Sequence, residues 1–425
     1  MAVWNKMYGF IKRIGPGFIT GAADDDPSGV ATYSIAGAQY GYKMSWMALF
    51  LIPSMVAVQE MCGRIGMVTG RGLADVIRKF HSKRLMWLAV ALLAVANTIN
   101  IGADLGIMAS SLSMLLGLPF YFWLFLVAVG IILLEIKVSY KRYSQVLKWL
   151  GMSLFVYVIT AFIVRQNWGQ VALATIIPHI DFNMGYLLTL VGFLGTTISP
   201  YLFFWQASEE VEEEIAEKKI ADFDIKPAVT KKEIRGLGID TKVGMVFSNL
   251  VTFFIILTTA ATLNRSGVFS INTPQEAALA LRPLAGNFAY LLFSVGIIGI
   301  GLQSIPVLAG SVGYAVADGL GIKEGLSKKF SKAKGFYIIL AISTIVGLLM
   351  NLLGINTMQA LYYAAIVNGV IAVPLIFIII HLAGDKRIVG EYKSPKLNRV
   401  VAWVTFVFMA LAVLLMVASL LGFKF

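Results

Sequence analysis

Three carboxylates, Asp24, Asp25 and Asp26, stand in a row inside an apolar stretch, and Pro27 and Gly29 follow at once (GAADDDPSGVATYS, residues 21–34). Carboxylate oxygens are ligands for hard cations. At the middle of a bilayer one such group costs about 2.5–3.5 kcal/mol by insertion scales, so three cannot all face lipid. Neighbouring helical residues are splayed by about 100°, and an unbroken helix would aim at most one or two of them at a common centre. Pro27 has no amide hydrogen and disfavours helix at Asp26, while Gly29 relaxes the backbone. The residues predict unwinding around 26–29, which at membrane depth is tolerated only where the backbone lines protein or water. Freed carbonyls and the Asp26 carboxylate, with Asp25 beside it, would form an oxygen-rich cation site. The rival reading leaves the acids in interfacial water at a helix end.

A second interruption, GFLGTTISPYLFFWQ (192–206), places Gly195, Thr196, Thr197, Ser199 and Pro200 midway through another apolar run. Alone, such a patch reads as a kink or packing feature. Paired with the first it reads as the other half of a central site, because Gly/Pro-interrupted segments at corresponding places in two halves mark a transporter's binding centre.

These stretches need elements to hold them. The chain has 425 residues, 58% hydrophobic and 14% charged, with a mean hydropathy of +0.80. Soluble domains run at about 45–50% apolar and about 25% charged. Apolar runs of membrane-crossing length recur without strand-like alternation, so the fold class is an all-α polytopic membrane protein. Eleven spans are predicted, at 14–38, 45–68, 85–112, 120–137, 144–165, 185–206, 242–262, 283–312, 335–353, 357–382 and 399–421. They make one transmembrane domain over 1–425: a first repeat of about 14–165, a second of about 185–382, and an extra helix at about 399–421. No cleavable signal peptide is read at the start.

The formal charge of +12 is a topology signal rather than a sign of nucleic-acid binding. One side collects Lys6, Lys12, Arg13, Arg71, Arg78, Lys79, Lys83, Arg84, Lys137, Lys141, Arg142, Lys148, and the loops at 207–242, 323–334 and 386–399. The other holds Lys43, Arg165, Arg265, Arg282 and Lys424. Positive charge marks the cytoplasm. The N-terminus is therefore expected inside and the C-terminus outside, in a prokaryotic inner membrane.

Several other polar residues draw a structural reading. Glu60 and Arg64, four apart, are read as an intrahelical pair, and Glu209, Glu210, Glu212, Glu213 and Glu214 as a solvated face, with Glu214 and Lys218 also four apart. The lone cysteine, Cys62, is read as a buried small hydrophobe. Asp104, Asn100 and Asn97 share a face that either lines the pathway or bonds to neighbouring helices. Gln303, beside Gly301, Ser304 and Pro306, is a further candidate for pathway lining.

At these positions the chain resembles the NRAMP family of divalent-metal transporters. Gly15-Pro16-Gly17-Phe18 matches the family's opening to helix one, and Asp26-Pro27 its Asp-Pro-Gly-Asn motif. MVTGRGLADVIR (67–78), GADLG (102–106) and GTTISP (195–200) are similar to its helix-two end, helix three and helix six. The resemblance implies a LeuT-like inverted 5+5 repeat, helices 1 and 6 interrupted, working by alternating access. It maps the metal-binding Asp onto Asp26, the Asn onto Gly29, the thioether ligand onto Ser199, the carbonyl-donating Ala onto Thr196 and the following His onto Tyr201. The helix-three Asp is kept as Asp104, while the Glu after it is Ile107. The pattern resembles a divergent branch lacking the helix-six Met, as NRAMP-related magnesium transporters do.

An all-oxygen set suits Mg²⁺, Ca²⁺ and Mn²⁺ better than softer metals, and glycine in place of Asn is expected to leave room for a partly hydrated ion. The expectation is a secondary transporter of a hard divalent cation, Mg²⁺ first and Mn²⁺ second. Proton coupling should be weak or absent, since His81, His179 and His381 lie in loops or near a span end. The cation is substrate and no cofactor is expected; the partners are the ion and the lipid bilayer. The alternatives are a LeuT-fold carrier of an organic zwitterion or anion, or a transport-inactive relative. An enzyme is not expected, because no His shares a span interior with a candidate nucleophile.

Overall fold

The computed structural model describes residues 15–137 and 154–423. The expected span at 144–165 therefore lies partly outside the described residues, as do Lys6, Lys12, Arg13, Lys141, Arg142, Lys148 and Lys424 in the charge pattern. The described chain is helical: α1 Pro16–Asp24, α2 Pro27–Tyr40, α3 Ser45–Phe50, α4 Ile52–Thr69, α5 Leu73–Phe80, α6 Lys83–Leu116, α7 Phe120–Lys137, α8 Phe155–Ile163, α9 Trp168–Ile176 and α10 Met184–Thr197. It continues with α11 Pro200–Ala216, α12 Lys231–Thr262, α13 Pro274–Ala278, α14 Arg282–Ala285, α15 Ala289–Leu320, α16 Lys334–Met350, α17 Thr357–Gly384, α18 Lys386–Val389 and α19 Lys396–Leu420.

Eight helical stretches among the described residues are each long and apolar enough to cross a membrane: Lys83–Leu116, Phe120–Lys137, Met184–Ala216, Lys231–Ser266, Pro274–Leu320, Lys334–Leu353, Thr357–Gly384 and Lys396–Leu420. Pro27–Phe50 and Ile52–Thr69, bent by 41° where they meet, pass together as a further one.

The polarity is that of a protein in lipid. Large apolar side chains point outward from α7 (Phe125, Leu126, Val129, Leu133) and α19 (Val404, Leu411, Leu414). Polar groups point inward: Asp24, Asp25, Asp26, Asn97, Asn100, Asp104 and Asn368 are all buried. Between lipid-embedded helices burial of apolar area gives little drive, and small residues that let backbones approach do the packing. α1 lies on α12 through Gly21 and Gly244, where a Cβ on either would collide with the other helix's backbone. α11 lies on α4 through Gly66 and Ala207, and α10 on α17 through Gly195 and Gly369. α6 and α15 pack along each other and complete the enclosure of the two short half-helices.

Two readings are corrected. Glu209, Glu210, Glu212 and Glu214 are buried, because α11 runs on to Ala216 packed against α4 and α15; of the five only Glu213 is exposed. Glu214 meets Lys219 at 3.4 Å rather than Lys218, whose φ of 61° has already left the helix. The Glu60–Arg64 pair does form within α4, and Asn398 Nδ2 donates to Glu60 Oε2 at 2.8 Å, tying α4 to α19. Cys62 is free and buried.

Candidate functional site

The gaps between α1 and α2 and between α10 and α11 have one shape. Asp25 (φ −82°, ψ 60°) and Asp26 (φ −72°, ψ 170°) leave the helix, and Pro27 restarts it. Ile198 (φ −117°, ψ 66°) and Ser199 (φ −79°, ψ 132°) do the same before Pro200. The first break thus lies at 25–26 rather than over the expected 26–29: proline at the first helical position lacks only an N–H that is unpaired there anyway, and Ser28 and Gly29 stay helical. Each proline withholds the N–H that would serve the carbonyl four residues back. For Pro27 that carbonyl is Ala23 O, and the Tyr201 hydroxyl donates to it at 2.9 Å. For Pro200 it is Thr196 O, which accepts from Ser199 Oγ at 2.8 Å. Buried carbonyls in lipid must be satisfied within the protein, and here each break is satisfied by a side chain at or just beyond the second one.

Asp26 acts first as a helix cap. Its Oδ1 accepts from Gly29 N–H and Ser28 Oγ, both at 2.7 Å, serving orphan donors at the N-terminus of α2. Its Oδ2 has no partner. Asp24 and Asp25 share Ser248 Oγ, at 2.8 and 3.3 Å, and Thr252 Oγ1 reaches Asp25 at 3.5 Å. Asp24 Oδ1 and Asp25 Oδ2 are likewise unpartnered. All three acids are at most 1% exposed, and among the described residues none makes an ion pair.

The two breaks touch. A Cβ on Gly29 would sit 3.1 Å from Thr196 Oγ1 and 3.4 Å from Asp26 Oδ1, so the glycine is where the helices close on each other. Thr196 Oγ1 is buried and unpartnered. Tyr33 OH lies 3.1 Å from Thr197 Oγ1, a second bridge. The room expected at Gly29 is not there in this conformation, because Thr196 and the Tyr33 ring occupy it. Ser199 Oγ donates back to Gly195 O and Thr196 O, at 3.0 and 2.8 Å, which leaves its lone pairs open.

The remaining candidates divide. Asp104 on α6 accepts from Ser304 Oγ at 2.9 Å, keeps Oδ1 unpartnered and lies within coulombic reach of Asp26. Asn100 is buried with both amide atoms unpartnered, as is Gln303 Oε1. Asn97 bonds to a neighbouring helix: its Nδ2 donates to Leu308 O and Ser311 Oγ on α15 at 2.8 and 2.7 Å. Tyr201 serves the first break rather than standing free. Ser248 and Thr252 escaped the sequence reading, although four-residue spacing on one face of α12 was a signal that could have found them.

Among the described residues no three His, Cys, Asp or Glu side chains gather in a form that holds a metal by themselves. The donor set is instead mixed: carboxylates on one break, hydroxyls and carbonyls on the other. Buried carboxylate oxygens with no opposing positive charge call for a cation or protons.

Fold and site together define an all-helical membrane protein organised around two broken helices. The sequence profile described as natural resistance-associated macrophage protein-like matches residues 17–419, and the chain belongs to this Nramp family. It is 25% identical to the "Divalent metal cation transporter MntH" of Agrobacterium fabrum over 93% of this chain and 84% of that protein. The crystal structure of the Eremococcus coleocola manganese transporter superposes with a TM-score of 0.73 at 18% identity, covering 96% of this chain and 86% of that one. A nucleobase-cation-symport-1 family transporter, Mhp1, gives 0.58 at 11% identity over 96% and 93%. These likenesses show the fold, LeuT-like as in the Nramp transporters. The relatives carry the names of transporters, not of enzymes.

Proposed function

We propose that the chain is a secondary transporter of a hard divalent cation, Mg²⁺ first and Mn²⁺ second, working by alternating access with weak or absent proton coupling. The observation that carries this is the meeting of the two breaks at Gly29 and Thr196, beside the unpartnered Oδ2 of Asp26. The names of the relatives, a divalent metal cation transporter and a manganese transporter, support cation transport. The hydroxyl at 199 in place of a thioether favours the harder ions.

In this reading Asp26 Oδ2 supplies the charge, Thr196 Oγ1 and the Ser199 oxygen supply neutral donors, and Asp25 acts directly or through water. Gly29 is the contact at which the half-helices part to admit a partly hydrated ion. Asp104, Asn100 and Gln303 line the route with oxygens. The absence of His from the span interiors argues for transport that does not carry a proton with each ion.

The eleven-span, inverted 5+5 organisation, with one domain over 1–425 and interrupted helices 1 and 6, belongs to the same proposal. It is supported by packing that repeats under that symmetry. α2 on α12 and α11 on α4 are exchanged when each span is moved five places, and the α6–α15 contact maps onto itself. An N-terminus inside and a C-terminus outside a prokaryotic inner membrane follow from the basic loops.

The test is uptake into proteoliposomes, with Mg²⁺, Mn²⁺ and Ca²⁺ compared and lumenal pH followed. The expected result is saturable Mg²⁺ flux that Asp26→Ala abolishes, without acidification in step. Silence for every divalent ion, or flux indifferent to Asp26, would overturn the reading.

A further inference from the structure

A cavity of about 170 Å³ lies among segments that the charge pattern assigns to the cytoplasmic side: α5, residues 222–224, the end of α15 and the loop after it. None of its lining residues belongs to the paired breaks. Its charges sort into pairs with a remainder. Asp75 takes Arg71 and Arg78; Asp224 takes Arg71 at 2.6 Å; Asp222 takes Lys328 at 2.5 Å. Lys323 is exposed. Asp318 and Glu324 make no ion pair among the described residues.

Those two carboxyls face each other within hydrogen-bonding reach. Glu324 lines the cavity and is only 5% exposed, and its Oε2 has no partner. The framework around them is fixed. Asp318 Oδ2 accepts from Asp75 N–H at 3.2 Å, which ties the end of α15 to the first turn of α5. The Tyr314 hydroxyl donates to Glu212 Oε1 at 2.8 Å and accepts from Leu326 N–H at 3.2 Å, which pins the loop carrying Glu324. Burial, and then the neighbouring Asp318 charge, pushes the Glu324 carboxyl well above its ordinary range.

Two carboxyls pressed together out of water call for a shared proton or a cation between them. Lys328 lies within coulombic reach of Glu324, and Arg78 of Asp318, but their ion pairs are to Asp222 and Asp75, which leaves neither carboxyl with an ion pair of its own. Mg²⁺ is commonly held by one or two carboxylates and keeps several of its waters, and one water needs only about 10–15 Å³ of such space. The cavity thus offers two acids on one wall and room for the waters that a third acid would otherwise replace.

We propose that Asp318 and Glu324 form a second, cytoplasmic-side site for a hydrated divalent cation, separate from the central pathway. An ion there displaces any shared proton and bridges the end of α15 to the 321–328 loop. Through the Asp318–Asp75 bond it also braces α5. These elements lie on the side that the basic loops assign to the cytoplasm, so in this proposal an ion accumulating in the cytosol stiffens that end of the helix bundle and slows further uptake.

The test is Mn²⁺ binding to the full-length purified protein, followed by its paramagnetic resonance. Wild type should bind in two classes, and Asp26→Ala should remove one of them. Glu324→Gln should weaken the other by about tenfold or more, the scale of losing one charged ligand. Survival of the Asp26-dependent class in Glu324→Gln shows that this variant is folded. A Glu324→Gln protein that retains both classes, or wild type with a single class lost in Asp26→Ala, overturns the proposal. A second measurement needs no change at the site: in Asp26→Ala, millimolar Mg²⁺ should slow amide exchange across 321–328, and unchanged exchange counts equally against the site.

Discussion

Asp26 and Ser199 stand at the same place in two breaks of the same shape, each just ahead of a proline, yet their side chains bond in opposite directions. Asp26 reaches forward to cap α2 through Gly29 N–H, and Ser199 reaches back to Gly195 O and Thr196 O. One carboxylate oxygen and the serine lone pairs are left over for a guest. A thioether at 199 would exchange a hard donor for a soft one and remove both backward bonds. Ser199→Met is expected to shift the preference from Mg²⁺ toward Mn²⁺ and Cd²⁺. Competition uptake measures this, and an unchanged ion order would remove Ser199 from the site.

The Gly29–Thr196 contact gives a second expectation. Alanine in a helix is favoured over glycine by about 0.5–1 kcal/mol, so Gly29→Ala has no intrinsic reason to unfold the protein. Its methyl would stand 3.1 Å from Thr196 Oγ1 and 3.3 Å from the Tyr33 ring, tighter than an ordinary contact. Melting is expected to change little while cation flux falls steeply. Flux equal to wild type would mean that the breaks need not close on each other.

Tyr201 answers for a donor that Pro27 cannot supply. Tyr201→Phe leaves Ala23 O buried without a partner, at a cost of about 1–3 kcal/mol. The variant should melt at a lower temperature and transport more slowly, with its Mg²⁺ affinity less affected than by changes at Asp26. Unaltered thermal stability would show that the carbonyl finds another donor.

Asp240 anchors the other end of α1. Its carboxylate accepts from Gly15 N–H at 3.0 Å, Gly17 N–H at 2.7 Å and Phe18 N–H at 3.3 Å, a negative charge set on a helix N-terminus. Asp240→Asn should weaken this hold by about 1–2 kcal/mol and let α1 swing away from α12. A cysteine in an Ala23→Cys background, buried in the parent, should then react faster with a thiol reagent added from the cytoplasmic side. Equal labelling rates with and without the Asp240 change would contradict an anchoring role.

Residue type alone located much of this architecture. Proline removes a donor wherever it stands, so Pro27 and Pro200 mark where α2 and α11 begin. Tertiary proximity was less legible. Ser248 meets Asp24 across 224 residues, and only its spacing from Thr252 hints at a shared face. The glutamates of α11 look solvated when read singly; all but Glu213 are buried because neighbouring helices cover them, a property of the neighbours' placement. At Gly29 a missing side chain suggested space, and a threonine from another helix fills it. The nine-residue α9 is too short for a window tuned to membrane crossings.

Calorimetric titration of Mg²⁺ into detergent-purified wild type, Asp26→Asn and Thr196→Val tests the shared site most directly. The account predicts that Asp26→Asn abolishes the Asp26-dependent heat and that Thr196→Val weakens affinity by about tenfold, the scale of one lost polar ligand. Binding in Asp26→Asn indistinguishable from wild type, or an effect confined to one of the two breaks, would contradict it.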